Sequence, residues 1–294
     1  MINNNWTTLN APMSELGEGP MWSIQDQVLY WLDIVSKRLF CYNPNSGKVE
    51  TRDLPYSPSA IIPRVQGGLL LITKKGMVTM EFDQPHLNSV PLPLVDFKQE
   101  VFNDAKCDCA GRLWVGTRDI HVKNPMGRLF KMETDFSMQI VRGDLIVSNG
   151  LAWSPSGNTF YHVDSRPGRI DSYDFDPIKG SLSNPRIFRD YPSEGAKSIP
   201  DGCTTDVEGG LWVAEVGDWH IRRYSPEGKL DREIKMPFKK PSSVMFGGPN
   251  LDQLFVSSMR FGLSEQELLE QPLAGSMLQL DVGVKGLPEF AFAG

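Results

Sequence analysis

The sequence predicts an all-β fold, a six-bladed β-propeller that takes up residues 1–294 as a single domain. Two observations carry that expectation. Six short apolar runs recur around Tyr30, Leu70, Trp114, Tyr161, Trp212 and Phe255, at spacings of 40, 44, 47, 51 and 43 residues. Each run is rich in β-branched or aromatic residues and follows a turn signal such as Ala110-Gly111, Ser156-Gly157 or Glu208-Gly209-Gly210. Those are strand features, and repeats of 40–50 residues built from strands match the period of propeller blades.

Within each unit a second strand follows after a short gap: KRLFCYNP, GMVTMEFD, GRLFKMET, GRIDSYDF, HIRRYSPE and GSMLQLDV. Several close on Asn-Pro, Ser-Pro or Asp-Pro, and proline cannot continue a central strand. The ends of the chain show no capping segments of different composition, which disfavours a solenoid. One segment departs from the pattern. In LSEQELLEQ, Ser264 stands three residues before Glu267 and leucines fall at helical spacing, so a short capped helix is expected in the last unit, over the rim.

Composition bounds the function. A chain of 294 residues with 40% hydrophobic and 22% charged residues is long enough and apolar enough to pack a core. Its net charge of −6 argues against a nucleic-acid partner, whose phosphates call for a basic surface. No run of 18 apolar residues occurs, so neither a spanning helix nor a membrane partner is expected. The amino terminus lacks the basic and apolar blocks of a signal peptide, and Cys41, Cys107, Cys109 and Cys203 are scattered; both point to a cytoplasmic protein with reduced thiols. Cys107 and Cys109 would share one face of a strand, but no second pair or nearby histidines complete a zinc site. Oligomeric state is not legible.

The polar residues recur in register with the strands. Glu18 precedes Tyr30 by 12 residues, Asn103 precedes Trp114 by 11, Asn149 precedes Tyr161 by 12 and Asp201 precedes Trp212 by 11. The same offsets land on Ser59 and Ser243 in the other two units. Each is expected at a tight turn entering its strand. Asn, Asp and Ser are common turn formers, which is the plainer explanation for Asn103 and Asn149. Glu18 is a poor turn residue, yet it holds the same position between Gly17 and Gly19.

Blades are related by rotation about a central channel, so equivalent positions form a ring. Two carboxylates and two amides converging there would suit a hard divalent cation bound entirely by oxygen. A central metal site is therefore expected, with one divalent cation: Ca²⁺ first, with Zn²⁺, Mn²⁺, Mg²⁺ or Fe²⁺ as alternatives. Other catalytic signatures are missing: there is no Gly-x-Ser-x-Gly, His-Glu-x-x-His or P-loop. The start of a dinucleotide fingerprint at Gly17-Glu18-Gly19 fails because Trp22 stands where the third glycine belongs. His86, His121, His162 and His220 have no ligand spacing; His162 is expected to pack on its strand and the others to lie on the surface or in loops.

At these residues the chain resembles the SMP-30/gluconolactonase/LRE family, which includes regucalcin and several sugar lactonases. The likeness runs through LGEGPMW, FNDAKCDCAGRLWVGT, SNGLAWSPSGNTFYHVDS and PDGCTTDVEGGLWVA to FGGPN, GLS and PLAG, in order along the whole chain. The resemblance implies a six-bladed propeller with one axial cation held by Glu18, Asn149 and Asp201. It implies Asp201 as catalytic acid/base and Asn103 as a substrate contact or outer-shell group. It also implies hydrolysis of aldonolactones, with a small sugar lactone as partner. The alternative is a regucalcin-like calcium-binding regulatory protein without significant turnover. One position departs from the family: Val101 stands where sugar lactonases often place an Arg that binds sugar hydroxyls. The loop GTRDIHVKNP offers Arg118, Asp119 and His121 in place of an acidic residue. Val101, Arg118 and His121 are thus the expected substrate-side differences, pointing to an anionic or otherwise non-glucono lactone.

Overall fold

Six four-stranded antiparallel sheets stand around a common axis in the computed structural model, which describes residues 6–82, 88–90, 92 and 94–294. His86 lies outside the described residues. The innermost strands of blades 1 to 6 are Gly17–Ser23, Pro58–Pro63, Glu100–Cys107, Ser148–Trp153, Ile199–Thr205 and Pro241–Gly247. Neighbouring innermost strands touch all the way round, and the first meets the last. The ring is closed.

The six apolar anchors fall on the second strand of each blade, beginning with Tyr30 on Val28–Asp33 and ending with Phe255 on Gln253–Ser258. Second strands are sandwiched between adjacent blades and buried on both faces, which is why they read as continuous apolar runs and not as an alternation. Outermost strands such as Ser181–Asp190 and Leu230–Lys235 are mostly exposed and polar. In blades 3 and 5 the turns between first and second strands are built on buried aspartates. Asp206 accepts the backbone N–H groups of Glu208 and Gly210 at 3.0 and 2.9 Å and the indole N–H of Trp212 at 2.7 Å. Asp108 does the same for Ala110, Arg112 and Trp114 in blade 3.

Blade 6 is completed by the amino-terminal strand Trp6–Thr8, which pairs with Leu278–Asp281 as the outermost strand. Hydrogen bonds between the two ends of the chain thus fasten the ring, and the last blade has no need of a fourth strand of its own. The expected helix is present as Glu265–Glu270. Ser264 caps it, and the Glu267 carboxylate, accepting from the Ser264 backbone N–H, completes the capping box. No helix among the described residues is long and apolar enough to cross a membrane. All four cysteines are free thiols. Cys107 and Cys109 do not share a strand face: the strand ends at Cys107, leaving Cys107 buried and Cys109 exposed.

Candidate active site on the propeller axis

Every innermost strand carries one extra residue relative to its partner strand, and the break falls at the ring position. The register shifts between Glu18 and Met21, Pro58 and Ala60, Phe102 and Ala105, Asn149 and Leu151, Pro200 and Cys203, and Pro241 and Ser243. A bulge frees a residue from the ladder and re-aims its side chain. This corrects the expectation of a tight turn entering the strand: Asp201 lies inside the strand Ile199–Thr205, at its bulge. Gly202 is needed there because blades crowd together. A Cβ at that position would come 2.0 Å from Ser243 Oγ.

The bulges open onto an axial cavity of about 270 Å³, lined among others by Glu18, Ser59, Asn103, Asn149 and Asp201. Five of the six ring residues therefore meet. Ser243 is not among the lining residues and packs beside Gly202 instead. The cavity also holds a residue that the offset count missed, Asp104. The bulge of blade 3 releases Asn103 and Asp104 together, so two consecutive side chains face the axis. The adjacent Asn-Asp pair was the only available signal, and a one-residue-per-blade count could not use it.

The donors are held by a chain of hydrogen bonds across three blades. Asn103 Nδ2 donates to Asn149 Oδ1 at 2.7 Å and to Ser148 O at 3.0 Å. Asn149 Nδ2 donates to Ser165 Oγ at 2.8 Å, and Ser165 Oγ donates to Pro200 O at 2.7 Å, directly before Asp201. Two aspartates fix the approaches: Asp33 accepts from the N–H groups of Glu15 and Leu16, ahead of Glu18, and Asp164 accepts from Ile146 and Val147, ahead of Asn149. Beyond the ring, Lys106 Nζ reaches Cys203 O at 3.4 Å and Glu289 Oε1 at 3.1 Å, tying blades 3 and 5 to the carboxy-terminal segment.

Three carboxylates are crowded here in a poorly solvated space. Burial, with the neighbouring Asp104 charge, pushes Glu18 up to about 8 even though Glu18 retains some contact with solvent through the cavity mouth. Burial pushes Asp104 to about 6, with Lys106 opposing. Asp201 is driven well above the usual carboxylate range by burial, then by Glu18 and by Asp104, with the nearby Asn149 amide partly offsetting. Carboxylates that cannot comfortably ionise together call for a positive charge.

The remaining expected residues separate. Arg118 lines the cavity mouth. Val101 is buried in the innermost strand of blade 3, paired with Arg118, and does not line the cavity. His121 is exposed, and the next residue, Val122, turns to the cavity with φ of 56°. His162 is fully buried on its strand, as expected, with Nε2 2.7 Å from Ser148 Oγ. His220, expected on the surface or in a loop, instead opens the strand His220–Tyr224 half-buried, with Nδ1 2.5 Å from Asp218 O.

Among the described residues no three His, Cys, Asp or Glu side chains group as metal ligands. The donor set on the axis is of another kind, with the Asn149 amide lining the same cavity as the Glu18 and Asp201 carboxylates. It suits a hard divalent cation: all donors are oxygen, and the Asn149 carbonyl keeps a second lone pair after accepting from Asn103.

A closed six-bladed propeller with oxygen donors on bulged inner strands around an axial cavity is the class of protein that fold and site define. The chain belongs to the SMP-30/gluconolactonase/LRE-like family, whose match covers residues 16–260. It is 33% identical over 281 residues to a 6-deoxy-6-sulfogluconolactonase of Pseudomonas putida, covering 96% of each chain. It is also 33% identical to regucalcin of Sus scrofa over 287 residues, covering 95% of each. Among solved structures it is similar to a calcium-binding protein, regucalcin, from Agrobacterium tumefaciens, with a TM-score of 0.90 at 25% identity, covering 98% of this chain and 97% of the other.

Proposed function

We propose that this protein is a divalent-cation-dependent hydrolase that opens a sugar lactone to the sugar acid. The observation that carries the reading is the convergence of Glu18, Asn149 and Asp201, with Asn103 and Asp104, in one axial cavity where burial and then neighbouring charge hold Glu18 and Asp201 above the usual carboxylate range. The lactonase named among the relatives supports the substrate class, and the calcium-binding regucalcin structure supports a cation.

Glu18, Asn149 and Asp201 would hold the cation. Bound there, it would supply polarisation of the lactone carbonyl and stabilise developing negative charge on its oxygen. Asn103, whose amide spans blades 3 and 4, orients the substrate beside those donors. Asp201 takes the proton of the attacking water and returns it to the departing ring oxygen. Its burial favours the protonated form, which suits the second half of that exchange. The neighbouring Glu18 and Asp104 charges add to that preference.

A pH-stat assay over a panel of aldonolactones, with and without chelator, tests the proposal. Proton release that disappears with chelator, returns with added cation and is lost in Asp201→Ala supports it. Cation binding with no turnover of any lactone would instead establish a cation-binding regulatory protein, the reading that the regucalcin likeness favours. Turnover that ignores chelator would overturn the role of the cation.

A further inference from the structure

Around the oxygen donors, each blade presents to the cavity a residue from the C-terminal end of its second strand or from the two positions beyond it. Going round from blade 1 these are Ile34, Lys74, Arg118, Arg166, Val216 and Met259, and all six line the same cavity. The rim is divided: blades 2, 3 and 4 each contribute a cation, and blades 5, 6 and 1 each contribute an apolar side chain.

Among the described residues, no ion pair involves Lys74, Arg118 or Arg166, and the guanidinium of Arg118 donates only to the backbone oxygens of Asp119 and Ile120, at 3.0 and 3.4 Å. Elsewhere this protein pairs buried Arg112 with Asp108 and Arg223 with Asp206, and half-buried Arg142 with Asp171. The residue paired with Arg118 across the hairpin is the buried, apolar Val101, so that side offers no anion either. Desolvation lowers both Lys74 and Arg118, with the Asp119 charge partly opposing at Arg118, and the charge of Arg118 lowers Lys74 further. Lys74 and Arg118, part-buried like charges that act on each other, are a cost unless an anion completes them, and the exposed Arg166 lines the same cavity.

We propose that the lactone accepted here carries an anionic substituent remote from its carbonyl, a sulfonate, phosphate or carboxylate, seated between Lys74, Arg118 and Arg166. This inference rests on the proposed lactonase reading and specifies its substrate class. The ester would meet the donors on the axis while the charged end reaches the cationic half of the rim. The apolar half, Ile34, Val216 and Met259, offers no partner to hydroxyls there and lies against the carbon face of the substrate.

The test compares kcat/KM for a neutral aldonolactone with that for the same lactone bearing a terminal phosphate, sulfonate or carboxylate, with cation supplied, at low and high salt. The anionic forms should be preferred by at least about tenfold at low salt, and the preference should shrink as salt screens the rim. Lys74→Met and Arg118→Gln should each lower the anionic-to-neutral ratio by about tenfold, whereas Arg118→Lys should keep most of it. Equal kcat/KM for neutral and charged lactones at low salt, or a ratio unmoved by both substitutions, overturns the proposal. Calorimetry provides an arm independent of turnover, using chelator-treated protein with gluconate and 6-phosphogluconate. Tighter binding of the phosphorylated acid, lost in Lys74→Met, supports the anion site even if no lactone is opened and the lactonase reading falls. Indistinguishable binding of the two acids overturns the anion site while leaving lactonase activity to its own assay.

Discussion

Asn103 Nδ2 donates a 2.7 Å hydrogen bond to Asn149 Oδ1, joining side chains 46 residues apart on neighbouring blades. The bond fixes which way the Asn149 amide faces, since the same amide donates its N–H to Ser165. Asn103→Ala should therefore weaken divalent-cation binding by about 10- to 100-fold, the usual effect of losing an outer-shell partner. The loss in melting temperature should be only a few degrees, corresponding to about 1 kcal/mol for one hydrogen bond. Cation titration and thermal unfolding of the same variant check both halves; unaltered cation affinity would remove Asn103 from the site.

Much of this arrangement was legible in the sequence because rotation about an axis turns a linear repeat into a ring. The anchors Trp114 and Trp212 located second strands, and counting back from them reached Asn103 and Asp201 on the innermost strands. What the count could not show was the extra residue in each strand. It looked like turn chemistry at Pro200-Asp201-Gly202, and in blade 3 it brings Asp104 to the axis beside Asn103. His121 and Val122 illustrate the same limit, because a single left-handed residue decides which of two neighbours faces the cavity. Nor does any local pattern in Trp6–Thr8 announce a partner at Leu278–Asp281, since that pairing is set by closure of the whole ring.

Asp201 and Asp206 lie five residues apart and should respond oppositely to substitution. Asp206 is fully buried and accepts from Trp212, Arg223, Glu208 and Gly210. Asp206→Ala strands those donors and should cost about 3–5 kcal/mol, on the order of 10 °C in melting temperature. Asp201 is held where its charge is disfavoured, so Asp201→Asn should leave the chelator-treated protein as stable as wild type, or slightly more so. Thermal scans in chelator decide it: a large loss in Asp201→Asn would mark that residue as structural.

Acid should destabilise the protein through His162. Its ring is fully buried, its Nδ1 has no partner, and burial lowers it from 6.5 to about 3. Between those values the unfolded chain binds a proton that the folded chain refuses, so stability falls as pH drops through this window. The slope from this one group is about 1.4 kcal/mol per pH unit. Denaturant midpoints measured from pH 6.5 to 4 should show a shallower decline in His162→Gln, whatever that variant's stability at neutral pH. An identical slope in both proteins would exclude His162 as the source.

The proposed activity requires an ion held by Glu18, Asn149 and Asp201. Calorimetric titration of Ca²⁺, Mg²⁺, Mn²⁺ and Zn²⁺ into chelator-stripped protein, repeated with Glu18→Gln and Asp201→Asn, tests it most directly. One cation bound per chain, with affinity reduced at least about 10-fold by either substitution, is the expected result. No binding of any of the four, or binding that both variants retain at full strength, would contradict it.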